Sequence, residues 1–254
     1  MRKGESIEMQ TTEEPTDDPI TNHFKGRFLY FTAFISSFSS FSFGYNIGAA
    51  NKPALIFNSC LPILNSKWEC FYVSEEDWGI MSSMMYVGAL IGSLAAGHLS
   101  ASYGRLMSIK TTSILYIIGL LLFSLAMNYW MLVLGRIIIG IGVGVSCVVV
   151  PMYLTECSAV KERGQIVFFH QMGIVSGIVV VEALGLIVGV EGGKWRWLIA
   201  FNAILMSAQL FFLSWCKESP KYDAAYAAQE SKFDPSVWTR PEARKSLSLA
   251  MFLH

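Results

Sequence analysis

A chain of 254 residues in which 53% are hydrophobic and only 15% charged, with a mean hydropathy of +0.46, falls outside ordinary soluble domains, where about a quarter of residues are charged. Nineteen Lys and Arg balance nineteen Asp and Glu, so the charge gives no pointer to nucleic acid and no such partner is expected. No P-loop, GxSxG elbow or HExxH pair is present, the four His are scattered, and no enzyme activity, metal or cofactor is expected. Six apolar segments of about 20 residues, near 28–50, 78–100, 111–128, 130–154, 166–190 and 196–216, are each long enough to cross a ~30 Å hydrocarbon core. Backbone groups in lipid need internal partners, so the segments are expected as helices of an all-α six-transmembrane-helix bundle.

The stretch 1–27 carries Glu5, Glu8, Glu13, Glu14, Asp17 and Asp18 with Pro15 and Pro19, and reads as a disordered polar tail. The first span follows without a basic start and cleavage site, so it is expected to serve as the targeting signal. Its segment Phe38 to Tyr45 is rich in Ser, Phe and Gly, too polar to face lipid alone; the serines either bond the preceding turn's carbonyls or contribute to an interior surface. Asn46 ends that segment. The segment Asn51 to Asp77 holds Cys60 and Cys70, which an oxidising exterior would allow to pair, although spacing alone leaves free thiols equally open.

Gly88, Gly92 and Gly97 in the second span, Gly140 and Gly144 in the fourth and Gly173 and Gly177 in the fifth give small positions where helix backbones approach closely in lipid. Arg136 lies within the fourth apolar run, at a cost of roughly 2.5–3.5 kcal/mol near mid-bilayer, and must face a protein partner or water. Glu156 follows the end of that span, where the helix dipole disfavours an anion unless a cation is near, and Arg105 and Arg163 are the candidate partners. In the fifth span Gln171, Ile174, Val175 and Ile178 fall at i, i+3, i+4 and i+7 on one face. That face is apolar with one uncharged amide able both to donate and to accept, which suits a sugar; the rival is a Gln bridging two helices. Glu182, three turns further on, is an intramembrane acid and therefore a functional candidate. Beyond the sixth span the stretch 217–254 turns polar. Lys and Arg crowd the side of the two termini, leaving only Lys52, Lys67 and Lys194 on the other, so both termini are expected in the cytosol.

The string from Ile138 to Arg163, with Gly140, Gly144, Pro151, Tyr153, Glu156, Arg163 and Gly164, followed by His170 and Gln171, resembles the sugar-porter signature of the major facilitator superfamily. Phe43 to Asn46 (FGYN), Gly97 with Gly104 and Arg105, Trp195 to Trp197 and Glu218 to Pro220 (ESP) agree with the same family. The resemblance spans roughly residues 28–222 and is to the amino-terminal half of the facilitative glucose transporters. It implies half of the major facilitator fold, with Gln171, Ile174, Val175, Ile178 and Asn46 lining a sugar cavity and Arg105, Glu156 and Arg163 forming a cytosolic gating cluster. Proton-coupled relatives carry Asp at the Asn46 position, so the resemblance favours facilitated diffusion, whereas Glu182 departs from the facilitator pattern and reopens proton coupling. In the segment Gly97 to Leu106, Ala101, Ser102 and Leu106 replace the usual charged residues, which implies a weakened latch.

The leading expectation is a transporter of a hexose or related small carbohydrate, in the plasma membrane or an internal vacuolar or vesicular membrane. With one half encoded, it is expected to need a second half or another copy. The alternatives are a non-transporting membrane sensor or regulator, or the product of a truncated transporter gene, and a proton-coupled sugar symporter.

Overall fold

In hydrocarbon an unpaired backbone group costs several kcal/mol, so segments of this composition close their hydrogen bonds within themselves. The computed structural model describes residues 27–49, 73–158, 162–188 and 194–223, and within them there are six long helices and no strand. They are α1 (Arg27–Ala49), α2 (Glu75–Tyr103), α3 (Arg105–Ser124), α4 (Tyr129–Cys157), α5 (Arg163–Val188) and α6 (Lys194–Phe212), the last ending in a 3₁₀ turn, Leu213–Trp215. Five of them are both long and apolar enough to span a membrane; α1 has the length but carries Ser36, Ser37, Ser39, Ser40 and Ser42. Cys60 and Cys70 lie outside the described residues.

Local sequence sets several of the ends. Ser74 caps α2, its Oγ accepting from the Asp77 amide at 3.1 Å, with Glu75, Glu76 and Asp77 in the first turn where the dipole favours acids. α2 and α3 are separated by Gly104 alone, at φ +90°, in the region that favours glycine. The third span therefore starts at Arg105, some six residues before the position that hydropathy suggests. Arg105 and Lys110 lower the apparent hydropathy of its first turns, yet those turns are anchored to protein.

The helices pair through glycine. A Cβ on Gly88 or Gly92 of α2 would run into the carbonyls of Ile137 and Ile141 on α4, and one on Gly140 or Gly144 of α4 into those of Met85 and Ala89 on α2. The same reciprocity joins α1 and α5: Gly44 lies against the Ile174 carbonyl, Gly173 against that of Ser37 and Gly177 against that of Phe41. Gly119 and Gly135 bring α3 onto α4. Gly97, grouped with Gly88 and Gly92 by its sequence position, faces open space instead, because it is five rather than four residues past Gly92 and has rotated off the contact.

Between α1, α3, α4 and α6 the interior is polar and bonded. Gln209 donates to the Ile35 carbonyl at 3.0 Å and the Ser39 hydroxyl at 2.8 Å, Asn202 donates to Ser42 at 2.8 Å, and Tyr116 lies 3.3 Å from Ser146. Side-chain bonds of this kind hold helices together where lipid is as apolar as Leu. Both readings of the α1 serines hold, at different positions: Ser36 and Ser37 return to carbonyls of their own helix, while Ser39 and Ser42 join the cross-helix seam.

Replacing Gly92 with Leu should separate α2 from α4 and lower the thermal unfolding temperature in detergent by several degrees or more, whereas Gly97→Leu should leave it nearly unchanged. Unfolding followed by tryptophan fluorescence of the two variants side by side checks this.

Candidate functional site

α5 is held by one face only. Its buried residues are Ile166, Gly177, Val181 and Gly185, all on the side that meets α1, with α4 and α6 touching its two ends. Gln171 lies on the open flank of that side and is exposed; Val175, one turn on, is 47% exposed, and Ile174 and Ile178 are half-buried beside them. Successive residues advance about 100° around the helix, so these four occupy one stripe and Glu182 extends it by three turns, about 16 Å from Gln171 along the axis. Glu182 is half-buried, and Gly48 of α1 lies close by, where an added Cβ would run into Val181 at 2.4 Å and only touch the Glu182 carboxylate at 3.4 Å. The stripe is thus one amide and one carboxylate at either end of an apolar wall.

Asn46 does not join that stripe. It is 2% exposed, its amide nitrogen donates to the Ser42 carbonyl at 2.8 Å, and its own carbonyl accepts from Arg136 at 3.0 Å. Arg136, 1% exposed, has its guanidinium 4.5 Å above the Phe123 ring. It thereby faces protein, as its position in an apolar run requires. The carbonyl it binds is among the last four of α1, which lack partners within the helix, so the cation also complements the negative end of the α1 dipole. Arg196 does the same at the end of α3, donating to the carbonyls of Ser124 and Ala126 while its guanidinium stacks on Trp195 at 4.4 Å.

At the other end of the bundle the charges converge. Arg105 grips Glu156 through two parallel bonds, Nε to Oε2 at 2.9 Å and the terminal nitrogen to Oε1 at 3.0 Å, the bidentate fork that a guanidinium makes with a carboxylate. The Ser219 hydroxyl adds a 2.5 Å bond to Glu156. Glu218 accepts from the amides of Arg105 and Leu106 at 3.0 Å each, capping the positive end of α3. Tyr153 donates to the Lys217 carbonyl at 2.6 Å, and Tyr222 stacks on Arg105 at 5.3 Å while donating to the Ser102 carbonyl. Gly104 is required here for a second reason, since a Cβ would meet the Glu218 carboxylate at 2.7 Å.

Of the two candidate partners for Glu156 the structure selects Arg105. Arg163 opens α5 and makes no ion pair among the described residues; its Nε is buried without a hydrogen-bond partner. Glu218, Ser219 and Tyr153 belong to this corner, and sequence reasoning did not assign them to it although ESP was visible as a motif. The available signal was an acid and a proline directly after the last span, opposite a Gly-Arg helix start.

Residues 32–237 match the family described as "Sugar (and other) transporter". The chain is 34% identical over 220 residues to "Facilitated glucose transporter protein 1" of Caenorhabditis elegans, covering 82% of this chain and 42% of that protein. It is 35% identical over 193 residues to "Solute carrier family 2, facilitated glucose transporter member 5" of Equus caballus, covering 72% and 38%. Its fold is similar to that of the xylose transporter XylE from E. coli in a partially occluded inward open conformation, with a TM-score of 0.69 at 23% identity over 80% of this chain and 53% of that one. The chain spans about two fifths of the length of the curated relatives it matches.

Removing the cation from the corner should cost far more than removing the unpaired one. Arg105→Leu leaves Glu156 half-buried beside a helix end that repels it, and should destabilise the protein by about 2–4 kcal/mol, somewhat below a fully buried pair. Arg163→Leu should cost under about 1 kcal/mol. Urea or thermal unfolding of the two variants in micelles measures the contrast.

Proposed function

Because this chain belongs to the sugar transporter family, we propose that its multi-pass membrane bundle is one wall of a pathway for a hexose or related small carbohydrate, working by alternating access. Transporters of the major facilitator type hold substrate near the bilayer midplane between two six-helix halves that rock against each other. The observation that carries the reading is the open stripe of α5, where Gln171 stands exposed as an uncharged amide beside Ile174, Val175 and Ile178 on a helix packed along one face only. A sugar ring has polar edges and less polar faces. An uncharged amide on an apolar wall meets both, and leaves no buried ion to neutralise.

The positive-inside bias supports cytosolic termini, with the bundle of residues 28–216 flanked by cytosolic stretches 1–27 and 217–254. On that footing the corner of Arg105, Glu156 and Glu218 lies at the cytosolic end and serves as a latch, and Arg163 beside it is a charge that pairs when the corner rearranges. The latch is tightly bonded despite the loss of charge at Ala101, Ser102 and Leu106, because Glu218 and Ser219 supply bonds that those positions do not. Asn46 carries no titratable group and its amide is engaged inside the bundle, which supports facilitated diffusion. A second half, encoded on the same or another chain, packs over the exposed faces of α2 and α5 and supplies the remaining hydroxyl partners.

Gln171→Ala should weaken D-glucose binding by about tenfold or more, since it removes both a donor and an acceptor from an otherwise apolar wall. Equilibrium binding to the purified chain in nanodiscs tests this. Saturable uptake that appears in vesicles only when six further spans are supplied would support the half-site reading. Uptake that depends on a proton gradient would assign Glu182 to coupling, and absence of any sugar binding would favour a sensor or regulator.

A further inference from the structure

Ser40 of α1 is fully buried, and its hydroxyl oxygen lies 2.5 Å from Nδ1 of His170 on α5. Which atom donates follows from counting protons. Ser36 and Ser37 direct their hydroxyl protons to carbonyls of their own helix, but the sole hydrogen bond of Ser40 among the described residues is to His170. Were Nδ1 protonated, the Ser40 proton would be buried without an acceptor. The hydroxyl therefore donates to Nδ1, and the neutral ring carries its proton on Nε2.

His170 directly precedes Gln171 in sequence, so it lies about 100° around α5 from it, between the glycine face that meets α1 and the open stripe. The ring is half-buried, and Nε2 has no hydrogen-bond partner among the described residues. We propose that His170 is a second sugar-binding residue, presenting Nε2–H as a donor to a sugar hydroxyl oxygen next to Gln171, and that Ser40 is the positioning residue that fixes its tautomer and ring orientation. The inference rests on the reading of the α5 stripe as a sugar wall. It adds an obligate donor to the amide, so a hydroxyl is bound in one sense only, as acceptor at His170. A site with a single amide, free to donate or accept, lacks that discrimination.

The two side chains of His170 substitutes separate this role from a clasp between α1 and α5. Asn places an amide near the Nδ1 position and Gln near Nε2, so His170→Asn keeps a partner for Ser40 and loses the donor, while His170→Gln does the reverse. Binding of D-glucose and its monodeoxy analogues is measured on the purified chain in nanodiscs, with thermal stability recorded alongside. His170→Asn is expected to fold normally and to bind D-glucose at least fivefold more weakly, with His170→Gln retaining most of the affinity. One monodeoxyglucose, lacking the hydroxyl held by Nε2–H, should bind His170→Asn and the parent equally. Nitrogen-15 NMR of histidine-labelled protein without sugar, with the His170 signals identified by their loss in His170→Gln, should show the proton on Nε2, and Ser40→Ala should abolish that preference. Equal weakening for every analogue, or a proton on Nδ1, overturns the proposal. Absence of D-glucose binding by the parent overturns the sugar-wall reading and this proposal with it, whereas parent binding that is unchanged in His170→Asn but lost in Gln171→Ala overturns this proposal alone.

Discussion

Backbone laid directly on backbone, α1 against α5 and α2 against α4, is the contact on which the rest of this bundle depends. Lipid tails offer no hydrophobic drive for helices to associate, so the energy comes from dispersion at close approach and from polar bonds that close approach permits. In both of these pairs glycines four apart meet facing carbonyls, Gly88 and Gly92 answered by Gly140 and Gly144, and Gly173 and Gly177 by Gly44. The consequence for α5 is geometric. Its attachment uses a narrow strip, Gly173 and Gly177 with Val181 and Gly185, and the opposite strip is left unpacked. An exposed amide beside so narrow an attachment needs no further device to keep it exposed. The short Ser40–His170 bond is a product of the same approach, since only helices this close bring a serine within reach of a ring nitrogen on the next helix.

Charge in the membrane span is handled by helix ends. Arg136 and Arg196 are buried at 1% and 4% exposure, and both donate to backbone carbonyls. In each case these lie at the end of a neighbouring helix, where those groups have lost their own donors. Glu218 applies the same logic with the opposite sign to the amides at the start of α3. One group thus answers another that would otherwise stay unsatisfied, and a buried cation is tolerated because the dipole end it meets is already negative. Arg105 and Glu156 instead pair with each other, part-exposed at the end of the bundle. A pair at 18% and 12% exposure, bonded also to Ser219, is less deeply buried than Arg136, which suits the latch proposed for it.

The parts of this arrangement that depend on spacing were legible in the sequence. Gly88 and Gly92, Gly140 and Gly144, and Gly173 and Gly177 are readable as contacts because a period of four is a property of one helix, and the Gln171 stripe is readable for the same reason. What depends on a partner far along the chain was not. Asn46 was legible as a polar residue at the end of α1, but the bond from Arg136 to its backbone carbonyl depends on where α4 places a residue 90 positions away. The choice of Arg105 over Arg163 for Glu156 depends on the pitch of α4 and on Ser219, 63 residues downstream. The start of α3 was placed too late because hydropathy treats Arg105 as a membrane boundary, while the fold makes it the first residue of the helix, capped by Glu218.

The α5 stripe also limits what a single bundle of this kind can do. Gln171 and Glu182 are separated by about 16 Å along the helix axis, more than the width of a hexose, so no sugar touches both at once. Between them Ile174, Val175 and Ile178 offer contact area and no hydrogen bond. On the proposed reading, a hexose at the midplane would have one face met by the apolar wall and one edge met by the Gln171 amide, with most of its hydroxyls directed away from α5. In water those hydroxyls are already bonded, and each one buried without a replacement costs about 1–3 kcal/mol. Transfer along this wall alone would keep them hydrated and the sugar weakly held. Dehydrating them requires donors and acceptors that converge from the facing side, which is the physical reason a second wall, and not a longer or more polar α5, completes such a site.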